Sequence, residues 1–123
     1  MPVRLLNSSV LKWPDVSLVD QSARRWADRV AYTRKQVRRI GYFGSYARGD
    51  WGVGSDLDLI IIVNESDQPF ERRARNWDTT ELPVPTDVLV YTWQEWESLQ
   101  LERFCQTIAD EAVWIYDRNQ NRR

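Results

Sequence analysis

The seven residues Leu57–Val63, with the sequence LDLIIIV, constrain the fold of this chain more than any other segment. Apart from Asp58, every residue in the segment is Leu, Ile or Val, and the β-branched residues favour strands. A strand without apolar–polar alternation is typical of the centre of a sheet that is covered on both faces. The run is much shorter than the roughly 20 apolar residues that span a bilayer. We therefore predict a central strand of an α/β domain and no membrane segment.

Apolar spacing, glycines and prolines divide the rest of the chain into elements. We expect one domain of 123 residues, with a helix over about 15–35, a core over about 36–117 and a mobile polar tail over 118–123. Within the core, the pattern predicts strands at 36–43, 57–63 and 87–92, helices at 68–77 and 93–110, and a connector at 79–86. Residues 44–55 form a glycine-rich loop with one helical turn at 46–48, and residues 112–116 form either an edge strand or a last helical turn. This order predicts a small α/β sandwich.

Composition removes several functional classes. The chain has no histidine, which excludes triads and general bases built on His and zinc sites that need it. Its one cysteine, Cys105, can form no internal disulfide, and the N-terminal residues lack the apolar stretch of a signal peptide, so we expect a cytoplasmic protein. Lys and Arg total 17 and Asp and Glu 18, and the net charge of −1 argues against direct nucleic-acid binding. A bound metal would be a hard ion on oxygen ligands, such as Mg²⁺ or Mn²⁺.

Three acidic residues are placed where strands begin. Asp56 and Asp58 are two residues apart, so their carboxylates point to the same face of the strand, about 7 Å apart along the backbone. Like charges at the end of an apolar strand repel each other and are costly to desolvate, and a divalent cation removes both costs. Asp87 stands at the start of the next predicted strand, DVLVYT. If the two strands are neighbours and begin at the same end, the three carboxylates form a cup that suits Mg²⁺.

A glycine–serine pair, Gly44-Ser45, directly follows the first predicted strand. Glycine lets the backbone approach a ligand closely, and the serine hydroxyl with nearby N–H groups can bind anionic oxygens. A phosphate-binding turn that faces a carboxylate–metal cup is typical of nucleotide chemistry, because two metal ions can stabilise the attacking and leaving oxygens of an in-line displacement.

The segment Gly44-Ser45, ten residues, then Asp56-Leu57-Asp58 resembles the signature of the DNA-polymerase-β-like nucleotidyltransferases. It is most similar to the minimal nucleotidyltransferases that are paired with HEPN-domain proteins in prokaryotic toxin–antitoxin operons. The resemblance covers about residues 37–92, and it implies a polymerase-β-like palm fold, a small mixed β-sheet with helices.

The same resemblance implies roles for individual residues. Asp56 and Asp58 would bind two Mg²⁺ ions, for which Mn²⁺ could substitute. Asp87 would bind the catalytic metal, which lowers the pKa of the acceptor hydroxyl, and would help to take its proton. Gly44 and Ser45 would hold the triphosphate of ATP. Two further positions, Arg48 and Ser55, match the motif and are assigned to the nucleotide-binding site.

The expected activity is transfer of AMP from ATP to the hydroxyl of a tyrosine on a HEPN-type toxin ribonuclease. This chain would be the antitoxin and would form a hetero-oligomer with that toxin. A catalytic cup and turn leave few of the 123 residues for holding an acceptor, which favours a second chain for that task. Two alternatives stay open. One is a homodimeric nucleotidyltransferase for small molecules, of the aminoglycoside-modifying kind. The other is an antitoxin that neutralises its toxin by contact alone.

Several residues near the motif also have a purely structural interpretation. Arg48 can contact phosphate or pair with Asp50 or a helix carboxylate. The charged run 71–75 is most simply a solvated helix face, although it could approach the nucleotide or acceptor. Four apolar residues fall roughly on one side of the helix predicted over 93–110: Trp96, Leu99, Phe104 and Ile108. Cys105 lies amid this apolar pattern, which is typical of a core residue. Three of the seven tryptophans fall where full burial is hard to supply and are candidates for a partner surface: Trp51, Trp93 and Trp96.

Overall fold

The computed structural model describes residues 13–119, which form one four-stranded mixed sheet with helices on both faces. The strands are β1 (Val37–Phe43), β2 (Leu57–Val63), β3 (Thr86–Thr92) and β4 (Val113–Asp117), in the spatial order β3-β2-β1-β4. β2 runs antiparallel to β1 and parallel to β3, and β4 runs antiparallel to β1. The predicted α/β class with a small mixed sheet is confirmed.

The strand β2 has the bounds that its composition predicts and lies inside the sheet. Its side chains alternate between two separate apolar clusters. Leu57, Leu59 and Ile61 pack with the first helix on one face, whereas Ile60 and Ile62 pack with the last helices on the other. Each of these five residues is fully buried. The lack of polar alternation therefore has the expected cause, because both faces of the strand are covered.

The first helix, α1, spans Val16–Thr33. Asp15 caps it, because the aspartate side chain accepts a hydrogen bond from the backbone N–H of Leu18 at 3.0 Å. Small and aromatic residues at three- and four-residue steps form its buried face: Val19, Ala23, Trp26, Ala27 and Ala31. The predicted helix over 15–35 is confirmed with slightly shorter ends.

The prediction of one continuous helix over 93–110 was wrong, because the helix is interrupted. Its first part, Trp93–Ser98, is followed by a 3-10 turn, Leu99–Leu101, and a new helix begins at Arg103 after an extended Glu102. The interruption rotates the second part relative to the first. Phe104, which we placed on the buried side, is 57% exposed, whereas Cys105 is buried, as predicted.

The short elements around β3 differ from their predictions in detail. The helix predicted over 68–77 is one α-turn, Phe70–Arg73, followed by the 3-10 turn Ala74–Asn76, with Pro69 at the N-cap. In chain order the α-helices are therefore α1, α2 (Ser45–Arg48), α3 (Phe70–Arg73), α4 (Trp93–Ser98) and α5 (Arg103–Glu111).

The end of the described chain is a strand and not a helical turn. β4 pairs with β1, and the two backbones approach closely at Gly41, where an added Cβ would lie 2.7 Å from Cε3 of Trp114. Residues 1–12 and, of the tail predicted over 118–123, residues 120–123 lie outside the described residues. The single-domain assignment of the whole chain stays a prediction.

Candidate active site

The acidic residues of the motif meet at one end of the sheet. Asp58 is the second residue of β2, and its Cα is the register partner of Asp87 in β3 and of Phe43 in β1. Side chains of directly paired residues lie on the same face, here the face covered by α5. Asp56 precedes β2 by one residue and lies two positions before Asp58. The parallel pairing of β2 with β3 thus brings together residues that are far apart in sequence.

The glycine–serine turn lies directly against Asp58. Gly44 directly follows β1 with a φ of 81° and a ψ of −154°, and Ser45 begins the short helix α2. A Cβ on residue 44 would lie 2.3 Å from Oδ2 of Asp58 and 3.3 Å from its Cγ. Only glycine is therefore compatible with both the backbone conformation and the close approach of the turn to this carboxylate.

Two neighbouring cavities share Asp58 and Phe43 as a common wall. The first has a volume of about 420 Å³, and five residues of the motif line it: Gly44, Ser45, Arg48, Asp56 and Asp58. The second has a volume of about 540 Å³, and Asp87 lines it together with Thr79 and Thr86. Six of the seven predicted site residues therefore border one connected region, with Asp58 at its middle.

Ser55 is the predicted site residue that lines neither cavity. Its hydroxyl oxygen accepts a hydrogen bond from the backbone N–H of Gly52 at 2.8 Å, and its carbonyl accepts one from the indole N–H of Trp13 at 3.2 Å. In this structure Ser55 holds the loop that leads into Asp56. Its role in nucleotide binding stays a prediction.

The carboxylates make the site strongly acidic. Burial raises the pKa of Asp58, and the nearby carboxylates of Asp87 and Asp56 raise it further, against an opposing contribution from Arg48. The charged form of Asp58 is therefore disfavoured, as expected for a group that lacks a positive partner close by. A cation at this position would relieve the repulsion.

The donor set suits Mg²⁺ because Asp56, Asp58 and Asp87 offer hard carboxylate oxygens at the same end of the sheet. Within residues 13–119, no group of three or more acidic or cysteine side chains is drawn together tightly enough to hold a metal ion unaided. This spacing is compatible with Mg²⁺, which is usually held by one or two carboxylates and completes its shell with substrate phosphates and water.

Glu111, at the end of α5, is a site residue that sequence reasoning missed. Its Oε2 accepts a hydrogen bond of 2.6 Å from the backbone N–H of Gly44, and it lies 3.4 Å from Nη1 of Arg48. Arg48 also pairs with Asp50 at 3.1 Å. One sequence signal could have identified Glu111, because an acidic residue at the C-terminal end of a helix opposes the helix dipole and calls for an explanation.

Internal contacts account for the three candidate tryptophans. Trp96 is buried and packs on Tyr91 and Trp114, so this candidate for a partner surface is part of the core. Trp51 is half-buried and stacks on the ring of Tyr46, with 5.6 Å between centroids. The ring of Trp93 lies under the guanidinium of Arg38.

The charged run 71–75 contains one buried residue, Arg73, which pairs with Glu95. Its other residues are exposed, as expected for a solvated helix face.

Comparison with known proteins gives a consistent result. The family model described as a nucleotidyltransferase domain matches residues 24–115. A Sulfolobus solfataricus protein assigned as a nucleotidyltransferase is 18% identical, with a TM-score of 0.60 over 83% of this chain and 83% of that chain. A toxin–antitoxin complex with AMP-PNP is 16% identical, with a TM-score of 0.55 over 80% of this chain and 76% of the other. A mutant MntA–HpeT toxin–antitoxin complex is 13% identical, with a TM-score of 0.53 over 80% and 75%.

At these identities the solved structures show a shared fold, and no curated protein is a significant match. The family model, by contrast, covers most of the chain and includes the turn, both residues of the Asp-x-Asp motif and Asp87. In the part of the chain that the structure describes, no helix is long and apolar enough to cross a membrane. The chain belongs to the nucleotidyltransferase domain family and is a nucleotidyltransferase.

Proposed function

We propose that this protein transfers AMP from ATP to a tyrosine hydroxyl of a HEPN-type toxin ribonuclease in the cytoplasm, and thereby acts as the antitoxin of the pair. The observation that carries the proposal is the position of Asp58, which touches the glycine–serine turn and pairs in register with Asp87. A site of this kind can bind a triphosphate on one side and activate a hydroxyl on the other.

Five of the predicted residues share the tasks of this reaction. Gly44 and Ser45 bind the phosphates of ATP, and Asp56, Asp58 and Asp87 are the residues that would hold Mg²⁺. The ion would supply positive charge that offsets the negative charge developing on the phosphate and acceptor oxygens. The acceptor oxygen forms a bond to the α-phosphorus, the bond from that phosphorus to the bridging oxygen breaks, and pyrophosphate leaves. Asp87 accepts the proton of the hydroxyl.

The two cavities support this division of tasks. The cavity with Gly44 and Ser45 suits the triphosphate, and the cavity with Asp87 suits the acceptor. Asp58 borders both, so its carboxylate lies where the nucleotide and the acceptor would meet. Both cavities are open to solvent, which allows a side chain of a second protein to enter.

Two neighbours in fold support a protein partner, since both are toxin–antitoxin complexes and one contains AMP-PNP. We propose that the acceptor is supplied by such a partner in a hetero-oligomer. The tyrosine acceptor and the HEPN identity of the partner rest on the resemblance of the motif.

The test is incubation of the protein with α-labelled ATP, Mg²⁺ and the product of the adjacent gene. We expect label on the partner, and we expect its loss in Asp58→Asn, which keeps the shape of the side chain and removes its charge. The matched control is Asp28→Asn, because Asp28 is an exposed aspartate on α1 away from the site. An unlabelled partner with the wild-type protein would contradict the proposal.

Two other outcomes would favour the alternatives. Labelling of a small alcohol without any partner would indicate a small-molecule transferase. Protection of cells by a protein with both Asp56→Asn and Asp58→Asn would indicate an antitoxin that acts by contact alone.

A further inference from the structure

The carboxylate of Glu111 lies on the part of the glycine–serine turn that faces the first cavity. Its Oε2 accepts the hydrogen bond from the backbone N–H of Gly44 at 2.6 Å, across 67 positions of sequence. The side chain is only 18% exposed, so it is held in the wall of the cavity that it shares with Ser45 and Asp58. An oxyanion is therefore already bound at the turn.

This contact competes with a phosphate for the same donor. A backbone amide has a single N–H, so the N–H of Gly44 can donate a full hydrogen bond to Glu111 or to a phosphate oxygen, but not to both. Two anions at one donor also repel each other. If the turn binds phosphate, the carboxylate must leave.

The electrostatic surroundings disfavour Glu111 as a simple structural link. Its charge lies at the C-terminal end of α5, where the helix dipole opposes an acidic residue, and it adds to the negative charge around Asp58. A glutamine would make the same hydrogen bond to Gly44 without this cost. Apart from its ion pair with Arg48, the charge of Glu111 is therefore not needed to attach α5 to the turn.

We propose that Glu111 takes the place of a phosphate group on the glycine–serine turn, and that a bound triphosphate displaces it. This inference rests on the proposed function, because both assume that the glycine–serine turn binds the phosphates. Glu111 is then a positioning residue that keeps the turn in its binding conformation while the site is free.

Displacement of Glu111 also changes the ion pairs of Arg48. In this structure its guanidinium lies between two anions, with Nε 3.1 Å from Asp50 and Nη1 3.4 Å from Glu111. When the carboxylate of Glu111 moves away, one of these two partners is lost, and the guanidinium can pair with the phosphate that replaces it. The role of Arg48 in binding is thereby coupled to Glu111.

The test measures binding of inorganic tripolyphosphate with Mg²⁺ by calorimetry, with no acceptor present. We expect Glu111→Gln to bind about tenfold more tightly than wild type, because the variant keeps the acceptor for the N–H of Gly44 and removes one negative charge beside the polyanion. The matched control is Glu102→Gln, an exposed glutamate next to the start of the same helix, and it should bind as wild type does.

Two results of this measurement would overturn the inference: equal or weaker binding by Glu111→Gln, or no binding by either protein. An equal gain in Asp50→Asn would also overturn it, since that variant removes a charge from Arg48 and leaves the turn unchanged.

A crystal structure of the wild-type protein tests the same inference without depending on a variant that could misfold. In a crystal structure with Mg²⁺ and AMP-PNP, a phosphate oxygen should accept the hydrogen bond from Gly44, with Glu111 moved beyond hydrogen-bond distance. Retention of the Glu111 contact beside bound phosphate would overturn the inference. Because neither experiment needs a transfer reaction, a failure of AMP transfer alone would count against the proposed function and not against the role of Glu111.

Discussion

At Gly44 the backbone adopts a φ of 81°, and an added Cβ would lie 2.3 Å from Oδ2 of Asp58. We expect Gly44→Ala to lower AMP transfer at least tenfold, because the methyl group must push the turn away from the carboxylate. The substitution should also cost about 1–3 kcal/mol of stability, since this backbone region is almost restricted to glycine. Transfer assays and thermal unfolding measure the two effects.

Gly52 provides the control in the same loop. A Cβ there meets nothing within 4 Å, and its backbone N–H still donates to Ser55 after substitution. Gly52→Ala should therefore retain transfer activity. Equal losses in the two variants would mean that loop flexibility, and not the approach to Asp58, explains the requirement for glycine.

Local spacing in the sequence is enough to group residues that belong to one motif. Gly44, Ser45, Asp56 and Asp58 belong to one short motif, and the structure brings all four to one cavity. Glu111 escaped notice because its contact with Gly44 spans 67 positions and follows no local pattern. Ser55 matches the motif and holds the loop through the hydrogen bond that its hydroxyl accepts from Gly52, and its role in nucleotide binding stays a prediction.

At the scale of elements, an ion pair joins α3 to α4 across the edge strand β3. Arg73 is 6% exposed, and its guanidinium lies 2.6 Å and 3.0 Å from the two carboxylate oxygens of Glu95. The same guanidinium donates to the carbonyls of Gln68 and Val90. Glu95 also closes the capping box of α4 with Thr92. One side chain thus serves both the helix and its attachment to the sheet.

We expect Glu95→Gln to lower the free energy of unfolding by about 2 kcal/mol, because it leaves a buried guanidinium without its charged partner, while the partial exposure of Glu95 limits the loss. Chemical denaturation at neutral pH measures the change. The control is Glu97→Gln, an exposed glutamate on the same helix, which should change stability by less than about 0.5 kcal/mol.

The stability that the Arg73–Glu95 pair contributes also depends on pH, and the direction of that dependence can be predicted. The hydrogen bond with Arg73 lowers the pKa of Glu95 below the ordinary value of 4.5. Its contribution to stability is complete above that ordinary value and is lost as the pH falls through the lowered pKa. The stability difference between wild type and Glu95→Gln should therefore shrink in acid. A difference that stays constant from pH 7 to pH 3 would contradict this account.

At the scale of the whole molecule, Mg²⁺ should bind only when β2 and β3 are paired, because Asp58 and Asp87 meet only in the folded sheet. A ligand that binds only the folded state stabilises it, by about 1.4 kcal/mol at a free concentration ten times its Kd. Mg²⁺ should therefore raise the unfolding temperature of the wild type. The measurement is a thermal melt over a range of Mg²⁺ concentrations.

Asp58→Asn is the decisive variant for this prediction. We expect it to lose the Mg²⁺ effect and, in metal-free buffer at neutral pH, to melt above the wild type, since it removes a charge that burial and two neighbouring carboxylates disfavour. Asp28→Asn should respond to Mg²⁺ as the wild type does. An equal Mg²⁺ response in Asp58→Asn would place the ion elsewhere on the protein.

The sequence by itself determined the features that depend on neighbouring residues. The apolar run of β2, the periodic face of α1 and the spacing of the Gly-Ser and Asp-x-Asp motifs are local patterns, and physical chemistry restricts what each can form. The break before Arg103 shows the limit of such patterns. Periodicity continues across it, yet the chain turns at Glu102 so that Cys105 and Ile108, and not Phe104, reach the core.

Only the tertiary structure decided which strands are neighbours and what lies against the turn. Asp87 becomes a site residue through its register with Asp58, and Glu111 through the return of α5 to Gly44. Both contacts join segments that are distant in sequence, and their free energy comes from the packing of whole elements and not from any local preference of the residues involved.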